Sequence, residues 1–277
     1  MIKIFVTDVD GTLFPDGGQI LSPEYFTMIR EMGKKGIQFG ASSGRPLANL
    51  RKVFAPVADE IFYIDENGAF ASYQGKQLTL EPMTMEDSRE IVRDTRKMDG
   101  CMSMYDTGEY CYFEKGDEEA FDVMKTEFHF PCKIVDDLTK LEEPCIKFTV
   151  YRRTDVEKVT EKEFNPKWRK THQVACGGTR FMDLMNKGVT KGSALSKVQK
   201  FFGVSPEETL AFGDNINDIE MLENAKYSFA IGNARKEVKD VADYHADLNV
   251  NNGVLKVMKD ILAGGDNFEE SIKKYKK

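Results

Sequence analysis

No stretch of this 277-residue chain is long and apolar enough to cross a bilayer. The opening residues, MIKIFVTDVDG, hold no apolar run of signal-peptide length before the first acids, so a cytoplasmic protein is expected. Cysteines are few: Cys101, Cys111, Cys132, Cys145 and Cys176. They are odd in number and form no CxxC pair, which excludes a zinc knuckle and a disulfide framework and leaves reduced thiols packed as small apolar groups. Positive charge is also scarce, with 39 Lys and Arg against 46 Asp and Glu and a net charge of −7. Nucleic-acid binding normally needs a basic face, so no nucleic-acid or membrane partner is expected. An anionic ligand must then be met locally, by a metal ion or a few Lys and Arg. Internal repeats and low-complexity segments are absent too.

What is present is an ordinary globular balance, 41% hydrophobic and 31% charged, in a chain long enough for two domains. The first third alternates short apolar runs with helical patterns. Ile2 to Val6 reads as a buried strand leading to Asp8. Ser22-Pro23 reads as an N-cap followed by proline at the first helical position, with Phe26, Ile29 and Met32 at helical spacing and Gly36 at the end. Ile37 to Ser42 reads as a second strand, Pro46 to Phe54 as a helix and Ile61 to Ile64 as a third strand. The last third repeats the texture: helix from Thr190 to Phe202, capping box at Ser205 to Glu208, strand from Leu210 to Phe212, helix from Ile216 to Leu222, strand from Phe229 to Ile231, helix from Val254 to Leu262. The polar tail from Gly264 is expected to fray. Strands alternating with helices predict an α/β fold, a Rossmann-like, doubly wound parallel sheet.

The middle differs. It carries all five cysteines, a helix-like run from Met85 to Met98, and strand candidates from Cys145 to Tyr151 and Phe181 to Met185. It reads as an α+β domain, residues 83–187, inserted into a core made of residues 1–82 and 188–277.

Asp8, Ser43 and Asp214 each follow a strand of that core. In an open parallel sheet ligands bind beyond the carboxyl ends of the strands, so segments two hundred residues apart can meet there. Asp8-Val9-Asp10-Gly11-Thr12 offers two carboxylates at i and i+2, one able to attack and bind metal, the other to trade a proton with a leaving group. A bare DxD is more often an acidic turn, but here the turn is one of a set. Ser43-Gly44-Arg45 supplies a hydroxyl and backbone N–H groups before a helix, suited to phosphate oxygens, although Ser-Gly is common turn chemistry and Arg45 alone would pass for an ion-pair partner. Lys191 offers a compact charge; a lone lysine at a helix start is usually only solvated. Gly213 to Asp218 is rich in hard oxygen ligands of the kind Mg²⁺ takes, with Asp214 and Asp8 as the pair and Asp218 behind them.

These segments resemble the haloacid dehalogenase superfamily of phosphatases, in its Cof-type branch with a type IIB cap. Asp8 to Leu13 matches its first motif, Ser43 its second, Lys191 its third and Gly213 to Leu222 its fourth. Glu66-Asn67-Gly68-Ala69, Phe181 to Met185, Gly188 to Leu195 and Gly232-Asn233-Ala234 read like that branch as well. Serine at 43 stands where threonine is commoner and keeps the hydroxyl. The resemblance implies that Asp8 attacks phosphorus and that Asp10 protonates the leaving alcohol and then activates water. It also implies that Asp8, the Asp10 carbonyl and Asp214 hold Mg²⁺, with Asp218 in the metal set, while Ser43 and Lys191 steady the transferring group. Ser43, Gly44, Arg45, Lys191 and Asn217 form the expected substrate-binding set. The expected partner is a small phosphorylated metabolite, a sugar phosphate first. The alternatives are a phosphotransferase or mutase on the same scaffold, or a catalytically silent binding module; the intact acid, hydroxyl and lysine set argues against the last.

Overall fold

The computed structural model describes residues 1–15, 20–128, 130–162, 164–176 and 179–277. In chain order the first elements are β1 (Ile4–Asp8), α1 (Pro23–Lys34), β2 (Gln38–Ser42), α2 (Leu47–Val53), β3 (Phe62–Asp65), β4 (Phe70–Tyr73) and β5 (Lys76–Leu80). Then come α3 (Met85–Thr95), β6 (Met102–Asp106), β7 (Cys111–Glu114), α4 (Glu118–Thr126), β8 (Cys132–Val135), β9 (Lys147–Tyr151), α5 (Val156–Thr160), α6 (Phe164–Trp168), β10 (His172–Cys176) and β11 (Phe181–Asn186). The chain closes with α7 (Lys191–Phe202), β12 (Thr209–Gly213), α8 (Ile219–Glu223), β13 (Tyr227–Ala230), α9 (Lys236–Val241), β14 (Tyr244–His245), α10 (Gly253–Gly264) and α11 (Phe268–Ile272).

These elements form two compact units, residues 1–43, 50–79 and 190–277 in one, residues 44–49 and 80–189 in the other. The short segment 44–49 groups with the second unit rather than with the strand that precedes it.

In the first unit the strands run β14-β13-β12-β1-β2-β3-β4-β5. From β14 to β3 the pairing is parallel, and β4 turns antiparallel to β3. Every residue of β1 is buried. Because side chains alternate across a strand, both faces of β1 are covered, as in a doubly wound sheet. The α/β fold expected from the sequence is therefore observed, with the antiparallel β4 and the edge strand β5 as additions. Strand β1 sits between β2 and β12, so the chain order reverses on either side of it. The carboxyl end of β1 is the switch point where such sheets bind ligands.

Helix α1 starts as its sequence predicts, with Ser22 extended as N-cap and Pro23 in the first turn. Its buried face is Tyr25, Ile29 and Met32, while Phe26 is only half-buried. The spacing i, i+4, i+7 thus begins one residue earlier than the sequence reading has it. The C-terminal tail does not fray. Phe268 and Ile272, one helical turn apart on α11, are 4% and 1% exposed, and the Phe268 ring meets Tyr227 edge-on. Two apolar anchors outweigh the polar residues around them.

In the second unit the strand order is β10-β11-β9-β6-β7-β8. One apolar cluster joins α3, α5 and α6 to the sheet through Ile91, Val92, Val156, Trp168, Phe148 and Val150. A separate one holds Met104, Phe113, Ala120, Met124 and Tyr151. All five cysteines are free thiols. Among the described residues no helix is long and apolar enough to cross a membrane.

Candidate active site at the carboxyl end of β1

Register brings the site together. Asp8, the last residue of β1, pairs with Ser42 of β2, and Thr7 pairs with Phe212 of β12. Ser43 follows Ser42 directly, and Asp214 follows β12. Two parallel neighbours of one central strand therefore deliver residues from distant segments to a common edge.

Lys191 opens α7. Thr190 caps that helix: its Oγ1 accepts from the Ser193 N–H at 3.0 Å, and Ser193 Oγ accepts from the Thr190 N–H at 3.0 Å. The cap fixes the first turn and with it the lysine. Lys191 is 1% exposed, and its Nζ donates to Asp8 Oδ1 and to Asp218 Oδ1, both at 2.6 Å. Asp218 is itself fully buried, and its Oδ2 accepts from the N–H groups of Asp214 at 3.0 Å and Asn215 at 3.1 Å. Asp218 thus folds the turn after β12 around Lys191, and both of its oxygens are engaged. Asp214 is held by Thr12, whose Oγ1 donates to Asp214 Oδ1 at 2.9 Å.

The acidic turn is pinned from the far end of the chain. Gly11 has φ +82°, and a Cβ placed there would stand 2.5 Å from Asp214 Oδ2, so glycine is required twice over. Its carbonyl accepts from Asn233 Nδ2 and Asn249 Nδ2, each at 2.7 Å. Asn233 Oδ1 in turn accepts from the Asn249 N–H at 3.1 Å. The backbone of Asp10 joins a bridge to Phe14, and the Gly11 N–H donates to Phe14 O at 2.9 Å.

Ser43 is buried; its N–H donates to Ile64 O at 2.8 Å and its carbonyl accepts from the Asn67 N–H at 3.0 Å. Asn217 Nδ2 donates to Asn67 Oδ1 at 3.0 Å, so this amide braces the turn after β3. Gly44 and Arg45 group with the second unit, where Lys147 Nζ donates to Gly44 O at 3.1 Å and Arg45 Nη1 donates to Asn49 Oδ1 at 2.8 Å. Sequence reasoning assigned no role to Thr12, although it lies inside the first motif, and missed Asn249, which follows an unremarkable polar stretch.

One carboxylate oxygen from each of Asp8, Asp214 and Asp218 lies within 4.8 Å of the others. Burial above all pushes the Asp8 carboxyl well above its usual range; Lys191 opposes this, and Asp218 and Asp214 add to it. Asp214 is pushed up to about 6, by burial first and then by Asp218. Burial alone would lower Lys191, but Asp218 and Asp8 hold it above its ordinary value, so it stays charged. Three carboxylates face one ammonium. Asp8 Oδ2 is buried with no hydrogen-bond partner among the described residues. A hard divalent cation fits this set: it supplies the missing positive charge and takes the orphaned oxygen.

Known phosphatases resemble this chain over nearly its whole length. The chain is 26% identical over 269 residues to the 5-amino-6-(5-phospho-D-ribitylamino)uracil phosphatase YbjI of Escherichia coli, covering 97% of this chain and 99% of the relative. It is 27% identical over 258 residues to the Bacillus subtilis phosphatase of the same description, YcsE, covering 93% and 95%. A crystal structure from Eubacterium rectale superposes with a TM-score of 0.86 at 36% identity, covering 93% of this chain and 98% of that one. Residues 5–258 match the haloacid dehalogenase-like hydrolases, and the chain belongs to that family.

Proposed function

We infer that this protein is a Mg²⁺-dependent phosphatase that hydrolyses small phosphomonoesters through an aspartyl-phosphate on Asp8. The observation that carries the reading is Asp8 itself: a buried carboxylate at the sheet's switch point, one oxygen held by Lys191 and the other without a hydrogen-bond partner among the described residues. A carboxylate so fixed is oriented for attack and has lost the water shell that would blunt it.

In this reading an oxygen of Asp8 attacks phosphorus as the ester P–O bond breaks, and Asp10 gives its proton to the departing alkoxide. Water then attacks the phosphorus of the aspartyl-phosphate while Asp10 takes a proton from it, and Asp8 leaves as carboxylate with inorganic phosphate. Lys191 and Ser43 meet the charge that builds on the transferring oxygens. Asp8, Asp214 and the Asp10 carbonyl would hold Mg²⁺, with Asp218 behind them; the ion would neutralise phosphoryl charge. Gly44, Arg45 and Asn217 complete the proposed substrate-binding set. The first unit does the chemistry, and the second selects the leaving group.

The substrate class is a polyol or sugar phosphate. Two relatives are named for a phosphoribityl substrate, which supports this class. The test is phosphate release from p-nitrophenyl phosphate and from a panel of sugar and polyol phosphates, with and without Mg²⁺. Asp8-dependent release of free phosphate supports the reading. An isomerised phosphate ester in place of free phosphate would make the protein a mutase, and no turnover of any ester would refute the assignment.

A further inference from the structure

Strand β3 ends in a strained turn. Glu66, Asn67 and Gly68 have φ of +48°, +56° and +99°, the one run of three successive left-handed residues among those described. Glycine takes such angles freely and asparagine tolerates them, but glutamate seldom adopts them. Backbone strain of this kind persists only where the surroundings over-determine it, and it gathers at functional sites. The turn is also out of water, with Glu66 1% and Asn67 6% exposed.

Three segments of the candidate site surround it. The Asn67 N–H donates to Ser43 O at 3.0 Å, and the Ser43 N–H donates to Ile64 O at 2.8 Å, so Ser43 is held from both sides of its backbone. Asn67 Oδ1 accepts from Asn217 Nδ2 at 3.0 Å, and the next residue, Asp218, accepts from Lys191 Nζ at 2.6 Å. Gly68 lies against the peptide that opens α7: a Cβ there would stand 2.2 Å from Thr190 O and 3.0 Å from Lys191 N. One turn thus touches the chain at the Ser43 hydroxyl's residue, at the turn after β12 and at the helix start that carries the lysine. All of these residues lie in the first unit. Asn67 is central, because its backbone meets one segment and its side chain another. With one N–H of Nδ2 given to Asn67, the amide plane of Asn217 is fixed and its second N–H keeps one direction.

We propose that Asn67 is a positioning residue for phosphoryl transfer that acts through Asn217, a proposal that rests on the phosphatase reading above. Its amide oxygen orients the Asn217 amide, while its left-handed backbone places Ser43. Both are set before a phosphoryl group arrives, and donors fixed in advance stabilise a transition state more than a ground state. Asn67 itself meets no reacting atom. Asparagine suits the position because it accepts a hydrogen bond, tolerates the left-handed φ and adds no charge to a site that already gathers three carboxylates.

The experiment follows Asn67→Gly, Asn217→Ala and the double variant. Turnover is read with p-nitrophenyl phosphate, and binding by calorimetry of orthovanadate, a five-coordinate mimic of the transferring group, with Mg²⁺. Glycine takes the φ of Asn67 without strain and keeps the N–H to Ser43, so the side-chain bond alone is lost. In Asn67→Gly, kcat is expected to fall about tenfold with KM within about twofold, and orthovanadate to bind about tenfold more weakly at unchanged stoichiometry. In the Asn217→Ala background the same substitution is expected to change kcat and the orthovanadate Kd by less than about twofold. A merely structural role would lower Tm and the binding stoichiometry and leave that Kd alone. Should glycine loosen the turn, Asn67→Ser, whose hydroxyl is too short to reach Asn217, repeats the test. If the parent turns over no ester while orthovanadate binding weakens in this pattern, the phosphatase reading falls and the positioning of Asn217 by Asn67 stands. If the parent does not bind orthovanadate, both fall. If kcat and the orthovanadate Kd stay within about twofold in a folded Asn67 variant, or if the loss is undiminished in the Asn217→Ala background, the proposal is overturned.

Discussion

Lys191 Nζ stands 2.6 Å from Asp8 Oδ1, although 183 residues separate the two in the chain. It stands equally close to Asp218. The lysine is therefore the shared counterion of two buried acids as well as a candidate phosphate ligand. Lys191→Ala strands both carboxylates in a dry site, and removing one partner of a buried ion pair costs about 3–5 kcal/mol. Urea unfolding should show a loss of that order in EDTA, partly recovered by Mg²⁺. A loss under about 0.5 kcal/mol would mean that the lysine is no counterion.

Asp8→Asn should reduce kcat by about a thousandfold or more, since the nucleophile is gone. Stability should not fall with it. Asp8 is held well above its usual pKa mainly by burial, so its ionised form is the costly one in the metal-free fold, and an amide removes that charge. Activity within tenfold of the parent, with deamidation excluded by mass spectrometry, would refute the assignment.

Gly11→Ala tests the acidic turn without changing any charge. The new Cβ would need a left-handed φ and would press on Asp214 Oδ2. Mg²⁺ should bind about tenfold more weakly by calorimetry, and the rise in Tm that a ligand of the native state produces should shrink in step. Unchanged Mg²⁺ affinity would mean that Asp214 is not a ligand.

Asp117 offers a pH test away from the site. It precedes α4, and its Oδ2 accepts from the Ser103 N–H at 3.1 Å. Burial first, with Glu114 and Glu118 adding to it, pushes its carboxyl up to about 6. A folded pKa above the unfolded one means that the folded state holds the proton more tightly. The associated stability is complete below about pH 4 and is lost as pH rises through about 6. An amide in its place cannot ionise, so Asp117→Asn should be more stable than the parent at pH 8, by on the order of 1 kcal/mol after solvent screening, and level with it near pH 4. A gain that is the same at both pH values would exclude this cause.

The parts of the fold that sequence made legible are those governed by local rules. Asp8, Ser43 and Asp214 announced themselves as polar residues ending apolar runs, and the Thr190 and Pro23 helix starts are cap chemistry written in single residues. The parts that stayed hidden depend on partners distant in the chain. Strands β4 and β5 have weak alternation, and the turn between them puts both Gln74 and Gly75 at positive φ without the Asn-Gly signature that usually marks one. The tail from Gly264 looks frayed until Tyr227 is known to receive Phe268. The sequence reads Ser43 to Arg45 as a turn and Pro46 to Phe54 as a helix of the core, and it is Lys147, the Phe128 carbonyl, which accepts from Asn49 Nδ2 at 3.0 Å, and the packing of Ala48 that group 44–49 with the second unit. Asn249 carries no local signal at all, because the partners that give it a role, Gly11 O and Asn233 Oδ1, lie 238 and 16 residues away.

The hydrogen bond from Asn249 to Gly11 O gives the last prediction. Asn233 and Asn249 both donate to Gly11 O at 2.7 Å, and Asn249 also donates its N–H to Asn233 Oδ1. The two amides act as one clamp on the turn that carries Asp8 and Asp10. Neither is assigned a bond-making role, so each is a positioning residue whose loss should lower kcat more than it raises KM. Asn249→Ala alone leaves Gly11 O satisfied by Asn233, so its effect should be modest, roughly threefold to tenfold. Losing both leaves a carbonyl beside the acids with neither donor, and the turn is free to drift, where a displacement of about 1 Å can cost a hundredfold. The double variant should therefore lose more than the product of the single losses, with an interaction free energy of about 0.5–3 kcal/mol. Kinetics of the two single variants and the double variant on p-nitrophenyl phosphate, with Tm measured for each, closes the cycle. Strict additivity in kcat would show that the amides hold separate parts of the fold and that the turn does not depend on their convergence.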